Sequence, residues 1–567
     1  MTVTTAKFAD GERDATGDES GVTDVRPVSR TAPLIYTTSA TYGVRHPERV
    51  FIIGAAVSFG VQYWFVVTVN IPPFEGEWVV FPEGRVEELA VTLVGGAPLT
   101  GGDTMGTATQ PVDSTLESFS ERVRGEVLQR GDDGYDEARE IWNAMIDRKP
   151  AIIVRCRGTA DVLAAVDFAH EQDLLLAVKG GGHNVAGNAV CDDGLLLDFS
   201  PMKAVRVDPD AQTVRVEPGA RMADLDHETH AFGLVAPGGV DSKTGVAGLT
   251  LGGGFGWLCR KYGLSLDNLR AVDIVTADGQ LRHASETENP DLFWGVRGGG
   301  GNFGVVTSFE FNCHELTEVL AGLLIYPIED APTVLRHWYD VITDAPDELS
   351  VWTVFLTAPS EPPFPEEYFG RKVMAVVPVY AGDVTEGEAE IDPLRSFGDP
   401  IADTVEPRRF VEWQQQFDEN YPKGDRYYWK SHNFTAPSED VFDVMAEYGR
   451  TIPTPEARVS VTHLGGAVNR VGLDETAYPH RDAEFLVNIT TRWQDPARDD
   501  ECIAWTREYF DALGEFATGG TYVNLISERE GEEEMAYREN YERLVELKTE
   551  YDPENLFRMN QNIEPGG

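Results

Sequence analysis

Residues 178–208 read VKGGGHNVAGNAVCDDGLLLDFSPMKAVRVD and are the most informative stretch of the chain. The apolar segment Leu174–Val178 leads into them and predicts a strand, and further short strands are predicted at 195–199 and 204–207. Three glycines and His183 stand between these strands. Glycine costs backbone entropy on folding, so a glycine run requires a reason. The close approach of backbone N–H groups to a phosphate or a flat ring is one such reason.

Two more glycine runs follow, at 251–254 and 298–304. Ordinary tight turns explain one such run better than three, so the sequence predicts a cradle for a cofactor. The last run also contains Gly299-x-Gly301-x-x-Gly304, which matches the dinucleotide fingerprint in form. That fingerprint needs a helix starting at its last glycine, whereas the next residues, VVTSFEF, alternate and predict a strand. A nucleotide-binding Rossmann fold is therefore excluded.

The composition describes a folded, strongly acidic protein of 567 residues. Apolar residues make up 42% of the chain, which is enough for large cores, and the formal net charge is −48. Nucleic acid is a poor partner for such a surface because its phosphates would be repelled. The acidic residues are spread along the chain, which favours a surface adapted to high salt over an acidic tail.

The five cysteines are odd in number and far apart, with no CxxC pair. This pattern argues against a disulfide framework or a metal site and favours small buried residues in a reducing cytoplasm.

The first 104 residues differ from the rest. Residues 1–49 are polar, whereas 50–69 read VFIIGAAVSFGVQYWFVVTV, twenty residues without a charge. This segment could span a bilayer as a membrane anchor, or it could be a buried apolar element. A third hypothesis, which we favour, is that residues 1–104 form an upstream extension outside the working enzyme and that Met105 is the natural start. With 13 acidic and 7 basic residues, this part is less acidic per residue than the remainder.

Mixed α/β patterning begins near residue 150. A strand at 151–156 is followed by a helix that Thr159 could cap. Near the end of the chain we expect a strand at 521–526 and an acidic helix at 531–550. The predicted organisation is a helical lead-in at 105–144, a cofactor domain at 145–315, a second α+β domain at 320–515 and a C-terminal segment at 516–567.

Five blocks resemble a known family: 148–156 (RKPAIIVRC), 178–208, 236–269 (APGGVDSKTGVAGLTLGGGFGWLCRKYGLSLDNL), 289–311 (NPDLFWGVRGGGGNFGVVTSFEF) and 551–563 (YDPENLFRMNQNI). They are similar to the berberine bridge enzyme-like flavoproteins of the vanillyl-alcohol oxidase superfamily. The resemblance extends over about residues 145–567. It implies an α+β fold, with a PCMH-type two-part FAD-binding domain and an α+β substrate domain that contains a large antiparallel sheet.

The resemblance also implies how FAD would be held. The family's histidine of the GGH block is bonded to the 8α carbon of the flavin, and His183 stands in that place. Some relatives add a second bond from a cysteine, but Asp241 stands at or near that position and no cysteine lies between 192 and 258. We therefore expect one histidyl link and no cysteinyl link. The other implied cofactor contacts are Lys179, Gly180, Gly181, Gly182, Asn184, Gly187, Asp241, Gly248, Gly252, Gly253, Gly254, Gly304, Val305, Val306, Asn560 and Asn562.

For catalysis the resemblance points to Tyr522, which matches a tyrosine that accepts the substrate's hydroxyl proton in related sugar and alcohol oxidases. A phenol with a pKa near 10 is a weak base at neutral pH, so a helper is expected, with Tyr478 and His463 as candidates. The structural alternative for Tyr522 is an aromatic residue packed between sheet and helix.

The expected activity is oxidation of a small organic molecule, such as an alcohol or sugar, by hydride transfer to N5 of a covalently bound FAD. Dioxygen is the expected electron acceptor. One alternative is a flavin dehydrogenase anchored at the membrane through 50–69 that passes electrons to a quinone. Another is a flavin-binding protein without turnover.

Overall fold

The computed structural model describes residues 113–435, 437–527 and 533–566, together with five strands among the first 70 residues. The chain divides into two compact units, residues 1–103 and 104–567. Each unit is described separately below.

The first unit contains a five-stranded antiparallel sheet. Most of the apolar segment 50–69 lies in its two longest strands, which pair residue by residue, so the segment is not a spanning helix. Within the described residues, no helix is both long and apolar enough to cross a membrane. The proposed start at Met105 lies outside the described residues. The strands are Thr2–Ala6, Arg26–Pro27, Thr38–His46, Arg49–Ser58 and Val61–Asn70.

The second unit begins with a helix and then a mixed four-stranded sheet. The helical lead-in expected at 105–144 also contains a strand, Glu126–Gln129, because the side chains of Val127 and Leu128 pack into apolar clusters on the two sides of the sheet. Gly158, not Thr159, is the N-cap of the next helix; Thr159 is its first residue. In order across the sheet the strands are Glu126–Gln129, Ile152–Arg155, Leu195–Asp198 and Leu176–Lys179, of which the last three are parallel.

A five-stranded antiparallel sheet completes the cofactor-side architecture. The strand predicted after the third glycine run is its central strand, Val305–Asn312, so that run does not open a helix. The strands Leu269–Val275 and Leu281–Ser285 form a hairpin within this sheet. The strand order is Val205–Asp208, Thr213–Val216, Val305–Asn312, Leu269–Val275 and Leu281–Ser285, and a separate two-stranded pair joins Leu234–Val235 to His314–Glu315.

The large antiparallel sheet follows, with nine strands. Side chains alternate across it: Val351 and Phe355 point toward covering helices, whereas Trp352 and Leu356 point to the opposite face. The helices that cover the first face include Ala331–Thr343, Glu439–Arg450 and Asp499–Gly514. The strands are Glu318–Ala321, Leu324–Pro327, Leu349–Thr357, Lys372–Tyr380, Ala402–Asp403, Glu406–Arg409, Arg426–Phe434, Arg458–His463 and Phe485–Trp493.

The C-terminal segment departs from the sequence prediction. The expected strand at 521–526 is wrong, since Val523–Leu525 is a 3-10 turn. Gly519 and Gly520 adopt positive φ, and the backbone amide of Tyr522 donates to the side-chain Oγ of Ser431 rather than to a backbone carbonyl of a neighbouring strand. The expected helix at 531–550 is interrupted. It consists of Glu533–Tyr537, a 3-10 turn at Arg538–Asn540 with φ of +47° at Arg538, and Tyr541–Tyr551.

The tail then returns to the cofactor-side sheets. The ammonium of Lys548 is fully buried, pairs with Asp552 at 2.7 Å and donates to the carbonyls of Asn302 and Phe557. Asn302 in turn donates to the carbonyl of Gln561. The third glycine run and the tail are therefore joined by buried polar contacts. The remaining α-helices are Asp113–Arg122, Tyr135–Arg139, Thr159–Glu171, Met222–His230, Val246–Gly252, Cys259–Tyr262, Pro290–Val296, Val384–Arg395, Phe410–Gln414 and Ala467–Arg470.

Candidate active site

A cavity of about 390 Å³ lies between the glycine-rich segments, the returning tail and the large sheet. Ten of the predicted cofactor contacts line it, and they come from the first and third glycine runs, from residues 241–248 ahead of the second run, and from the tail. They are Gly180, Gly182, His183, Asn184, Asp241, Gly248, Gly304, Val305, Val306 and Asn560.

The other predicted contacts do not line the cavity. Lys179 is buried with its ammonium turned away, where it donates to the carbonyl of Ala138 and lies 3.3 Å from a carboxylate oxygen of Asp198. Any contact of Lys179 with a cofactor is thus limited to its backbone. The remaining residues of this group are Gly181, Gly187, Gly252, Gly253, Gly254 and Asn562.

Most of these other glycines serve close packing. A Cβ atom on Gly181 would lie 2.5 Å from the backbone of Gly245, and one on Gly187 would lie 2.7 Å from the side chain of Ile146. A Cβ on Gly253 would lie 2.8 Å from the Tyr522 ring. These glycines shape the walls of the cavity, because a larger residue would push apart the segments that form it.

His183 is held by an aromatic stack and faces a carboxylate. The indole of Trp142 stacks on the imidazole at 4.3 Å, and Asp241 Oδ2 lies 3.4 Å from His183 Nε2. Both of these atoms are buried and neither has a hydrogen-bond partner among the described residues. Trp142 was not predicted from the sequence. The one available signal is that an aromatic residue stands ten residues before the strand Ile152–Arg155.

Tyr522 presents its hydroxyl oxygen to two donors. The amide N–H of Gly254 donates to it at 2.8 Å, and the side-chain amide of Asn524 donates at 2.9 Å. Burial raises the pKa of Tyr522 to about 12, and the two hydrogen bonds oppose that rise. Asn524 was also missed from the sequence, although it stands two residues beyond Tyr522.

The two predicted helpers lie outside the cavity lining. The ring of Tyr478 meets the edge of the Tyr522 ring with centroids 6.1 Å apart, but its buried hydroxyl has no partner among the described residues. His463 lies on the large sheet, where Arg260 is 2.7 Å from its Nε2, and burial together with that guanidinium lowers its pKa well below the usual range. These positions do not support a helper role for His463.

The large sheet supplies the opposite wall. Ala375, Val354, Ser460 and Asn488 form a row across four neighbouring strands and all line the cavity. The row runs from apolar to polar. Arg458 lines the cavity from the same face as Ser460, two residues earlier on the same strand.

All five cysteines are buried and carry free thiols. Burial raises the pKa of the Cys191 thiol to about 12 and that of Cys259 to about 11. Neither lines the described part of the cavity.

The residues present fit an FAD. A Cβ on Gly248 would meet open space, and the buried Asn560 Oδ1 of the lining lacks a hydrogen-bond partner among the described residues. Buried polar atoms normally have partners, so this atom favours a polar ligand in the cavity. The glycine backbone of the lining is suited to the close approach that a diphosphate and a flat ring require.

Two family models match the chain: an FAD binding domain at residues 150–285, and the model described as berberine and berberine like at residues 521–564. An FAD-linked oxidoreductase of Dictyostelium discoideum is 34% identical over 455 residues, which cover 79% of this chain and 97% of that protein.

Solved structures share the fold. The 6-hydroxy-D-nicotine oxidase from Arthrobacter nicotinovorans superposes with a TM-score of 0.71 at 31% identity, covering 78% of this chain and 98% of that one. The glucooligosaccharide oxidase from Acremonium strictum, described as carrying a 6-S-cysteinyl, 8α-N1-histidyl FAD, gives 0.71 at 23% identity over 80% of this chain and 100% of that one. The expected PCMH-type α+β fold is thus confirmed. The chain belongs to the berberine bridge enzyme-like FAD-linked oxidoreductases and is an FAD-dependent oxidoreductase.

Proposed function

We propose that this protein is an oxidase that carries FAD bonded through its 8α carbon to His183 and oxidises a small organic molecule, with dioxygen as the electron acceptor. The observation that carries the proposal is that His183, Asp241 and Tyr522 line one cavity together with the backbone of the glycine runs. The bound FAD would supply the redox chemistry by accepting a hydride from a substrate C–H bond.

The surroundings of His183 support its role as the attachment point. Trp142 limits rotation of the imidazole by stacking on it. A carboxylate beside Nε2 favours the tautomer that carries its proton on that nitrogen, which leaves the lone pair of Nδ1 available to form a bond to carbon. We therefore assign Asp241 as the group that orients His183.

A single attachment is proposed. Asp241 stands at or near the place where some relatives have a cysteine, and an aspartate cannot form a thioether. The buried thiols of Cys191 and Cys259 do not line the described cavity.

Tyr522 is proposed as the proton acceptor. Its phenol oxygen already accepts two hydrogen bonds, which stabilise the phenolate more than the phenol. The substrate is accordingly an alcohol, a sugar or a related compound whose O–H or N–H can reach this oxygen while its C–H bond faces the flavin. Both the nicotine oxidase and the glucooligosaccharide oxidase share this fold, so the fold accommodates either substrate class.

The acidic surface adds an expectation about the working conditions. With a net charge of −48, self-repulsion destabilises the folded chain at low ionic strength, and salt screens it. We propose a high-salt environment and expect the thermal midpoint to rise between dilute buffer and molar KCl.

The acceptor is tested by reducing the flavin anaerobically with a panel of alcohols, sugars and amines and then admitting air. An oxidase regains its oxidised flavin absorbance within seconds. Reoxidation that is slow in air but fast with a soluble quinone would contradict the oxidase and support a dehydrogenase. If no compound bleaches the flavin, a binding role without turnover is favoured.

A further inference from the structure

Arg458 is a half-buried cation in the cavity wall without a carboxylate partner among the described residues. It begins the strand Arg458–His463, and its guanidinium donates to the carbonyl of Glu456 at 3.0 Å and to Asn420 Oδ1 at 2.9 Å. No described carboxylate lies within 4.0 Å of it. A guanidinium has five N–H donors, so this group retains donors for a ligand.

Two other arginines pair with carboxylates. Arg492, on the adjacent strand, pairs with Asp425 at 2.6 Å, and Arg481, elsewhere in the domain, pairs with Asp267 at 2.6 Å. Carboxylates outnumber basic residues about two to one in this chain, 95 to 47, so an arginine that lacks one is not explained by scarcity of partners. A ligand that fills the cavity would remove water from this guanidinium, and leaving the charge uncompensated would then be costly, which favours a compensating charge on the ligand.

The rest of the wall indicates the shape of that ligand. Ser460 and Asn488 face each other across two strands beside Arg458, and Asn488 Oδ1 is buried without a partner among the described residues. Farther along the same face the wall becomes apolar. The apolar side chains are Trp352, Val354, Leu356, Ala375 and Val377.

We propose that Arg458 binds a carboxylate of the substrate, so that the substrate class is a small carboxylic acid with an apolar body that also carries the oxidisable hydroxyl or amine. This inference rests on the proposed function, because it takes the cavity to be the substrate site. Asn420, whose Oδ1 accepts a hydrogen bond from the guanidinium, also lines the cavity, and its NH₂ group would be a further donor for the carboxylate. The apolar side chains farther along the sheet would then contact the hydrocarbon part of the ligand.

The test is equilibrium binding to the holoenzyme, which requires no turnover. Phenylacetate and its neutral analogue phenylacetamide are titrated while the flavin absorbance and the heat of binding are recorded. A charge-assisted hydrogen bond predicts that the wild type binds phenylacetate about 10- to 100-fold more tightly than phenylacetamide. Arg458→Gln should abolish this preference, Arg458→Lys should retain part of it, and the exposed control Arg371→Gln should leave it unchanged.

Equal affinity for the two probes in the wild type, or a preference for phenylacetate that survives in Arg458→Gln, would overturn the proposal. Weak binding of both probes would overturn it too. Retained covalent flavin in each variant reports a folded protein and is read independently of binding, so a failure of the proposed cofactor attachment is distinguishable from a failure of carboxylate recognition. If Arg458→Gln does not fold, the comparison of the two probes on wild type and Arg458→Lys decides the question.

Discussion

The two walls of the cavity differ in what they present. The wall from the cofactor side exposes backbone at eight glycines, and close contacts such as that between Gly181 and Gly245 hold its segments together. The wall from the large sheet is made of side chains on alternating strand positions, such as Val354 and Ser460. Such a backbone wall is suited to a constant cofactor such as FAD, whereas a side-chain wall can change from one substrate to another without altering the fold.

The largest expected effect falls where the two walls meet, at Tyr522. Tyr522→Phe removes the proposed proton acceptor and should lower the rate constant of flavin reduction about 10²- to 10⁴-fold, as is typical for loss of a general base. Stopped-flow bleaching of the flavin by a reactive substrate measures it, with Tyr368→Phe as a surface control. A change of less than about threefold would show that Tyr522 is only a packed aromatic residue.

The same residue predicts a pH dependence. The phenolate is the form that accepts a proton, and burial places the pKa of Tyr522 at about 12. Below that pH the phenolate fraction rises about tenfold for each pH unit, so kcat/KM should increase toward alkaline pH until the protein unfolds. A profile that is flat between pH 7 and 9, or that falls, would contradict Tyr522 as the base.

The backbone wall can be tested with two alanine substitutions. In Gly181→Ala the new Cβ would lie 2.5 Å from the Gly245 backbone, so we expect about 3 kcal/mol of destabilisation. In Gly248→Ala the Cβ meets open space inside a helix, so folding should be unaffected or improved by up to about 1 kcal/mol while FAD incorporation falls. Chemical denaturation and the ratio of flavin to protein absorbance measure the two effects. Full incorporation in Gly248→Ala would contradict a cofactor lying against that backbone.

A smaller effect is expected at Asp241. Asp241→Asn keeps the size of the side chain but removes the charge beside His183 Nε2, which should slow covalent incorporation about 10- to 100-fold. Apoprotein is mixed with FAD, and acid-stable flavin fluorescence in denaturing gels is followed with time. Asp226→Asn, a buried aspartate of the same domain that does not line the cavity, is the control. An unchanged rate would show that Asp241 does not orient the histidine.

The contrast between backbone and side-chain walls also explains which features the sequence predicts well. The strand at Val305–Asn312 follows from a local pattern of alternating residues, and the structure has it where expected. The glycine runs and His183 are also visible as local patterns, and His183 lines one cavity with glycines of the first and third runs. The direction of a side chain is not local. Lys179 belongs to the predicted motif, yet its ammonium turns away because Ala138 and Asp198, from other segments, supply its partners.

Prediction from the sequence fails most where tertiary contacts replace the backbone hydrogen bonds between strands. The pattern of 521–526 suits a strand, but the backbone amide of Tyr522 donates to Ser431 Oγ, and its hydroxyl oxygen accepts from Gly254 and Asn524. Arg458 could not be identified because its environment depends on the registers of several strands, which periodicity does not specify.

Acid precipitation of the native protein is the decisive experiment for the attachment of FAD to His183. We expect the yellow colour to stay with the precipitated polypeptide, His183→Ala to release it to the supernatant, and the exposed control His227→Ala to behave as the wild type. Flavin released from the wild type, or retained by the polypeptide of His183→Ala, would contradict this attachment.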